Sequence, residues 1–205
     1  MDIRLKFINR ATNLYSGDIV LFQKNVATDL EELATAWKVI RHCGYECHHP
    51  IVYPLSFEVT SSDDFGNYSP RIAADRGQLL AVTPTPRGRR LTLHGSSTSP
   101  LEVQVLNGLS RGAVNINIFR GGHVLARKTS VAPEQKVVFR FPPELWIGAV
   151  SQIEQGGAID AATLSSVNTQ LSLLGIASAD IVMTGGGPDA DARAYVFTLQ
   201  NVVRT

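Results

Sequence analysis

The chain is poor in cysteine, in charge of one sign and in long apolar runs, and each shortage removes a class of protein. Two cysteines among 205 residues cannot build a disulfide framework. With 19 Lys and Arg against 18 Asp and Glu the net charge is +1. That balance argues against a dedicated nucleic-acid binder, because such proteins gather basic side chains on one face. No apolar stretch approaches the roughly 20 residues that cross a bilayer as a helix. The opening MDIRLKFINR alternates charge with hydrophobe and lacks the apolar block of a signal peptide. What the chain does have is 44% apolar and 18% charged residues, a balance that supports packed cores and excludes wholesale disorder. The expectation is a soluble, cytoplasmic protein of one large or two small domains, at roughly 100–200 residues per domain.

Alternation of apolar and polar residues, the mark of a half-buried strand, recurs along the whole chain. Ile3, Leu5 and Phe7 alternate with Arg4 and Lys6, and Leu55, Phe57 and Val59 with Ser56 and Glu58. Leu101, Val103 and Val105 repeat the habit, as do Val114, Ile116 and Ile118, then Tyr195, Phe197 and Leu199. Turn signals separate these runs, among them Ser16-Gly17-Asp18, Pro84 to Gly88 and Gly121-Gly122. One segment departs from the pattern. From Asp29 to Cys43 there is no Gly or Pro, and Leu30, Leu33, Ala34, Trp37 and Ile40 make a helical stripe. Thr28 with Glu31 reads as a capping box and Gly44 as the residue past the helix end, so a helix is predicted over 29–43. A shorter helix is predicted from Ala161 to Val167, after Asp160.

Two stretches look like copies: IRLKFINRATNLYSGDIVLFQ from Ile3 and LEVQVLNGLSRGAVNINIFR from Leu101. Each ends one strand on Asn (Asn9, Asn107), turns through Gly (Gly17, Gly112) and ends a second strand on Phe (Phe22, Phe119). The spacing is 98 residues at the Asn and 97 at the Phe. Val52 to Leu55 matches Arg140 to Pro143 at a similar spacing. Duplication is the reading drawn from this near-constant offset. It predicts a mainly β chain of two tandem β-sandwich domains, 1–97 and 98–205, with the 29–43 helix inserted in the first. Gly95 to Pro100 is small, polar and Pro-ended, and would link them.

The densest chemical cluster is His42-Cys43-Gly44-Tyr45-Glu46-Cys47-His48-His49. Imidazole and thiolate suit zinc and iron, which makes His42, Cys47, His48 and His49 the candidate metal ligands. A second ligand pair of the usual structural zinc spacing is missing, as is the helical His-Glu-x-x-His signature. The competing reading is structural: His42 in a last helical turn, Cys43 as a small buried hydrophobe. On that reading no cofactor is needed. A polar loop, Ser61 to Pro70, carries Phe65 and Tyr68, and the only basic run is Arg87, Arg89 and Arg90. These five are the candidate ligand-binding residues, since binding side chains concentrate on loops held by a rigid scaffold, and the arginines would take an anionic partner. Thr184 to Asp191 lacks the Lys of a phosphate loop, although Asp189 and Asp191 could ligate calcium. There is no Gly-x-Ser-x-Gly, and the neighbouring carboxylates Glu31/Glu32 and Asp63/Asp64 point apart.

The segment DIVLFQKNVATDLEELATAWKVIRHCG from Asp18, with LLGIASADIVMTGGGP from Leu173, resembles a group of small bacterial proteins, some of which are labelled aromatic ring-opening dioxygenases. The resemblance implies a non-haem iron held by two histidines and one carboxylate, here drawn from His42, His48, His49 and Glu46 or Glu58. The residues themselves favour a non-enzymatic binding or assembly protein that presents loops and sheet edges to a ligand or protein partner. It is expected to be a homo-oligomer, most simply a dimer, with no nucleic-acid partner. The alternatives are an iron-dependent oxygenase using the His42–His49 cluster and a β-sandwich acting at a membrane surface.

Overall fold

The computed structural model describes residues 2–12, 17–27, 34–167, 169–187 and 193–205. The protein is mainly β. The first four strands are β1 (Ile3–Asn9), β2 (Asp18–Phe22), β3 (Lys38–Ile40) and β4 (His48–Tyr53). The next four are β5 (Phe57–Ser62), β6 (Ile72–Ala74), β7 (Gln78–Thr85) and β8 (Gly88–Ser96). Then come β9 (Val103–Asn107), β10 (Val114–Arg120), β11 (His123–Val131) and β12 (Lys136–Phe139). The chain ends with β13 (Glu144–Val150), a short helix α1 (Ala161–Ser166), β14 (Thr169–Ser172), β15 (Ile176–Gly186) and β16 (Arg193–Arg204). Alternation acts as the sequence predicts: Ile3, Leu5 and Phe7 of β1 are buried while Arg4 and Lys6 are exposed. No helix among the described residues is long and apolar enough to cross a membrane.

Among the described residues the strands form four sheets of four, in the orders β16-β15-β1-β4, β14-β13-β2-β3, β12-β9-β7-β8 and β11-β10-β5-β6. The described residues divide into two compact units. The first draws on Met1–Lys24, Leu33–Leu55 and Pro143–Thr205 and holds the first two sheets; the second draws on Asn25–Glu32 and Ser56–Pro142 and holds the other two. These boundaries differ from the cut at 97 and 98 expected from the sequence. The chain does not finish one unit before starting the other.

Strand order explains why. Advancing each of β1–β8 by eight gives β9–β16, and this mapping turns β16-β15-β1-β4 into β8-β7-β9-β12 and β14-β13-β2-β3 into β6-β5-β10-β11. Pairing sense follows: β1 lies parallel to β15 and β9 parallel to β7, while every other pair is antiparallel. Each unit is thus built from four strands of the chain's first half and four of its second. Every sheet joins a two-stranded ribbon from one half to a two-stranded ribbon from the other, and the junctions β1/β15, β2/β13, β5/β10 and β7/β9 are the central pairs.

The end of β1 and the end of β9 share a detailed arrangement. The buried Asn9 amide donates to the Cys43 carbonyl (2.7 Å), its Oδ1 accepts from the Ala11 N–H (2.9 Å), and its backbone exchanges bonds with Cys47 and Glu46. The buried Asn107 amide donates to the Val131 carbonyl (2.9 Å), its Oδ1 accepts from the Leu109 N–H (3.2 Å), and its backbone exchanges bonds with Gln135 and Glu134. Glu46 and Glu134 both hold left-handed backbone, at φ 62° and 63°, and His42 and Ser130 do so at 55° each.

Within the first unit, Trp37 meets Tyr53 edge-on at 5.7 Å and the Gln23 amide donates to the Tyr53 hydroxyl (2.8 Å), which ties the β2 side to β4. In the second, Phe141 lies between Phe57 of β5 (5.9 Å) and Phe139 of β12 (6.4 Å).

The helix expected over 29–43 is corrected. Its start, including the Thr28/Glu31 capping pair, lies outside the described residues, and the part described holds a bridge at Thr35 and strand β3. Ile19, Val20 and Leu21 of β2 need a partner for their open edge, and Lys38, Val39 and Ile40 supply it. β-Branched Val39 and Ile40 suit that pairing, and tertiary hydrogen bonding overrides a helical stripe. The second helix stands as expected, with Asp160 capping α1 through a 2.7 Å bond from the Thr163 N–H.

Candidate functional site

The paired registers place β2/β13 and β10/β5 in correspondence: Phe22 opposite Trp146 answers to Phe119 opposite Glu58, and Val20 opposite Gly148 answers to Asn117 opposite Thr60. One face of each pair turns inward. The other face has opposite character in the two units.

In the first unit that face carries Val20, Phe22, Trp146 and Val150, and its own chain covers it. Phe22 stacks on Trp146 (6.2 Å), the Lys24 ammonium sits 3.8 Å over the Trp146 ring, and Ala34, Ala36, Ile159, Leu164 and Val167 complete an apolar cluster. Gly148 is required for this closure, since a Cβ there would stand 2.6 Å from Val167 Cγ2.

In the second unit the matching positions are polar, with Asn117 for Val20, Glu58 for Trp146, Thr60 for Gly148, Ser62 for Val150 and Arg127 for Val39. The β5–β6 connection is short and leaves a cavity of about 410 Å³ over this face, within the roughly 300–1,000 Å³ of small-molecule sites. Its floor is a buried polar trio in which the Asn117 amide donates to Thr60 Oγ1 (3.4 Å) and Ser62 Oγ (3.3 Å). Its walls include Phe119, with the Arg71 guanidinium 4.1 Å over its ring, and Arg127. Arg71 also reaches Glu58 (3.4 Å) and the Gly122 carbonyl (3.3 Å). Tyr68, 64% exposed, forms the rim.

The rim loop is held by Asp63. Its carboxylate accepts from the Phe65 and Asn67 N–H groups and the Asn67 amide, and pairs with Arg89 at 2.7 Å. Those bonds, first from Asn67 and least from Arg89's charge, hold the Asp63 carboxyl below its usual range. The sequence-predicted residues therefore divide. Arg89 ties the β7–β8 turn to the Phe65/Tyr68 loop and is a brace. Tyr68 borders the cavity. Phe65 stands at the loop tip, 91% exposed, and Arg87 and Arg90 are exposed beside the turn.

The candidate metal ligands do not converge. No three His, Cys, Asp or Glu side chains among the described residues lie close enough to share an ion. His42 occupies a left-handed position after β3 rather than a helix end, and successive residues His48 and His49 of β4 point to opposite faces. Cys47 hydrogen-bonds to buried Cys43, whose thiol is pushed up to about 12 by burial first and by Cys47 second. A two-His, one-carboxylate iron site does not fit this arrangement, and Glu58 is engaged with Arg71 in the other unit. Asp189 and Asp191, the calcium candidates, lie outside the described residues.

Thr60, Arg71, Asn117 and Arg127 escaped the reading of motifs. A signal was present, because NINIF at 115–119 sets Asn117 where DIVLF at 18–22 sets Val20. Comparisons with protein-family models, with curated proteins and with solved structures give no match.

Proposed function

We propose that this chain is a non-enzymatic binding protein, made by tandem duplication of an eight-stranded β-sandwich whose copies exchanged halves. One unit serves as scaffold and the other presents a ligand site. Duplication is supported by the strand-for-strand correspondence of β1–β8 with β9–β16 and by the twin Asn9 and Asn107 arrangements. The observation that carries the binding reading is the contrast between matching sheet faces: apolar and plugged at Gly148, polar and bordering a cavity at Thr60 and Asn117. A face that served only packing would be apolar and covered, as in the first unit, whereas a binding face needs placed polar groups beside apolar walls.

Amide-shift mapping of the isotope-labelled full chain against a library of small polar compounds tests this reading. Shifts gathered on Thr60, Ser69, Asn117 and Phe119 are expected. Shifts centred on His42–His49, or conversion of a compound by the purified protein, would replace binding by catalysis.

A further inference from the structure

We infer that the open face of the second unit takes a small oxyanion, the carboxylate or phosphate of a polar ligand, with Arg127 as its principal contact; this rests on the binding reading above. Three features lead there. No carboxylate lines the cavity, while two guanidiniums do. Arg71 is already engaged by Glu58, whereas Arg127 makes no ion pair among the described residues and stands exposed on β11. Finally, the Thr60 hydroxyl oxygen at the cavity accepts from the Asn117 amide, which keeps the Thr60 O–H as a donor. A hydroxyl donor with an unpaired guanidinium at its side matches an anion that only accepts. The first unit supplies the internal control, for Val39 and Val20 stand where Arg127 and Asn117 stand here.

The test uses three probes that share hydroxyls and differ in charge: glucose, glucuronate and glucose 6-phosphate. Each is titrated into the full chain and followed by amide shifts, with Arg127→Val, Arg127→Lys and Asn117→Val in parallel and melting curves to check folding. Glucuronate, glucose 6-phosphate or both should bind, the difference between them telling carboxylate from phosphate. Glucose should not bind, and added salt should weaken the charged probes. Arg127→Val should weaken binding about tenfold or more with the melting point held, since a hydrogen bond to a charged group is worth about 1.5–3 kcal/mol, and Arg127→Lys should restore part of the loss. If glucose binds as well as the charged probes, the oxyanion assignment falls while the binding reading stands. Silence from all three probes, or undiminished binding by Arg127→Val, overturns the assignment as well.

Discussion

Replacing Asn9 and Asn107 by Ala, singly and together, probes the matching arrangements at the ends of β1 and β9. Asn9→Ala removes the donor to the buried Cys43 carbonyl and the acceptor of the Ala11 N–H. Among the described residues neither group has another side-chain partner, and each orphaned buried polar group costs about 1–3 kcal/mol, so the loss should be about 2–6 kcal/mol. Asn107→Ala removes the donor to the buried Val131 carbonyl, and the part-buried Gly112 carbonyl and Leu109 N–H can turn to water, so the loss should be at least about 1–3 kcal/mol. The two sites share no bonding partner, so the double variant should lose the sum to within about 0.5 kcal/mol. Urea unfolding followed by far-ultraviolet dichroism and by tryptophan fluorescence reads both. Asn9→Asp is the control for packing: it keeps the acceptor for Ala11 but sets an oxygen against the Cys43 carbonyl, and it should cost at least as much as Ala. Losses below about 1 kcal/mol at either site would refute the claim that these amides hold the strand ends.

Gly148→Thr, which installs the residue found at the matching Thr60, should destabilise by about 1–3 kcal/mol because its Cβ meets Val167. Adding Val167→Ala should recover part of that loss in the same unfolding assay, and no recovery would mean that the clash lies elsewhere. His49 is held below the ordinary histidine range, by burial first and by the charge of Lys38 second. The unfolded chain then takes up more protons as pH falls through about 6.5, so stability is present above that value and is lost on acidification. The drop in urea midpoint between about pH 7.5 and about pH 5.5 should shrink in His49→Gln, and an unchanged drop would clear His49 of the effect. Cys43, with its thiol pushed up to about 12, should resist thiol reagents at neutral pH in the folded chain and react once unfolded. Rapid native labelling at Cys43 in a Cys47→Ser background would contradict its burial.

Much of the strand content was legible because burial on one side forces a period of two, as in Ile3, Leu5 and Phe7. Asn9 and Asn107, singled out by their spacing of 98 residues, make matching bonds at the ends of β1 and β9. The 29–43 helix was misread because Ala34, Trp37 and Ile40 fit two patterns, and the unpaired edge of β2 decided between them. The pairing of β1–β4 with β13–β16 and of β5–β8 with β9–β12 left no mark that composition or periodicity could carry, since it concerns which ribbon meets which. The metal reading failed for a similar reason: adjacency in sequence along β4 sends His48 and His49 apart. The cavity was visible only as a difference between copies, at Asn117 against Val20 and Thr60 against Gly148.

Because every sheet is closed by a junction between the two halves, severing the chain near Ser97 yields pieces that own only ribbons. Isolated two-stranded ribbons are marginal in water, so each piece must find a mate. A gene encoding β1–β8 alone would have to work as a reciprocal pair of identical chains, each lending its second ribbon set to the other. The residues between β8 and β9 are then a tether that makes such a pairing permanent and independent of concentration.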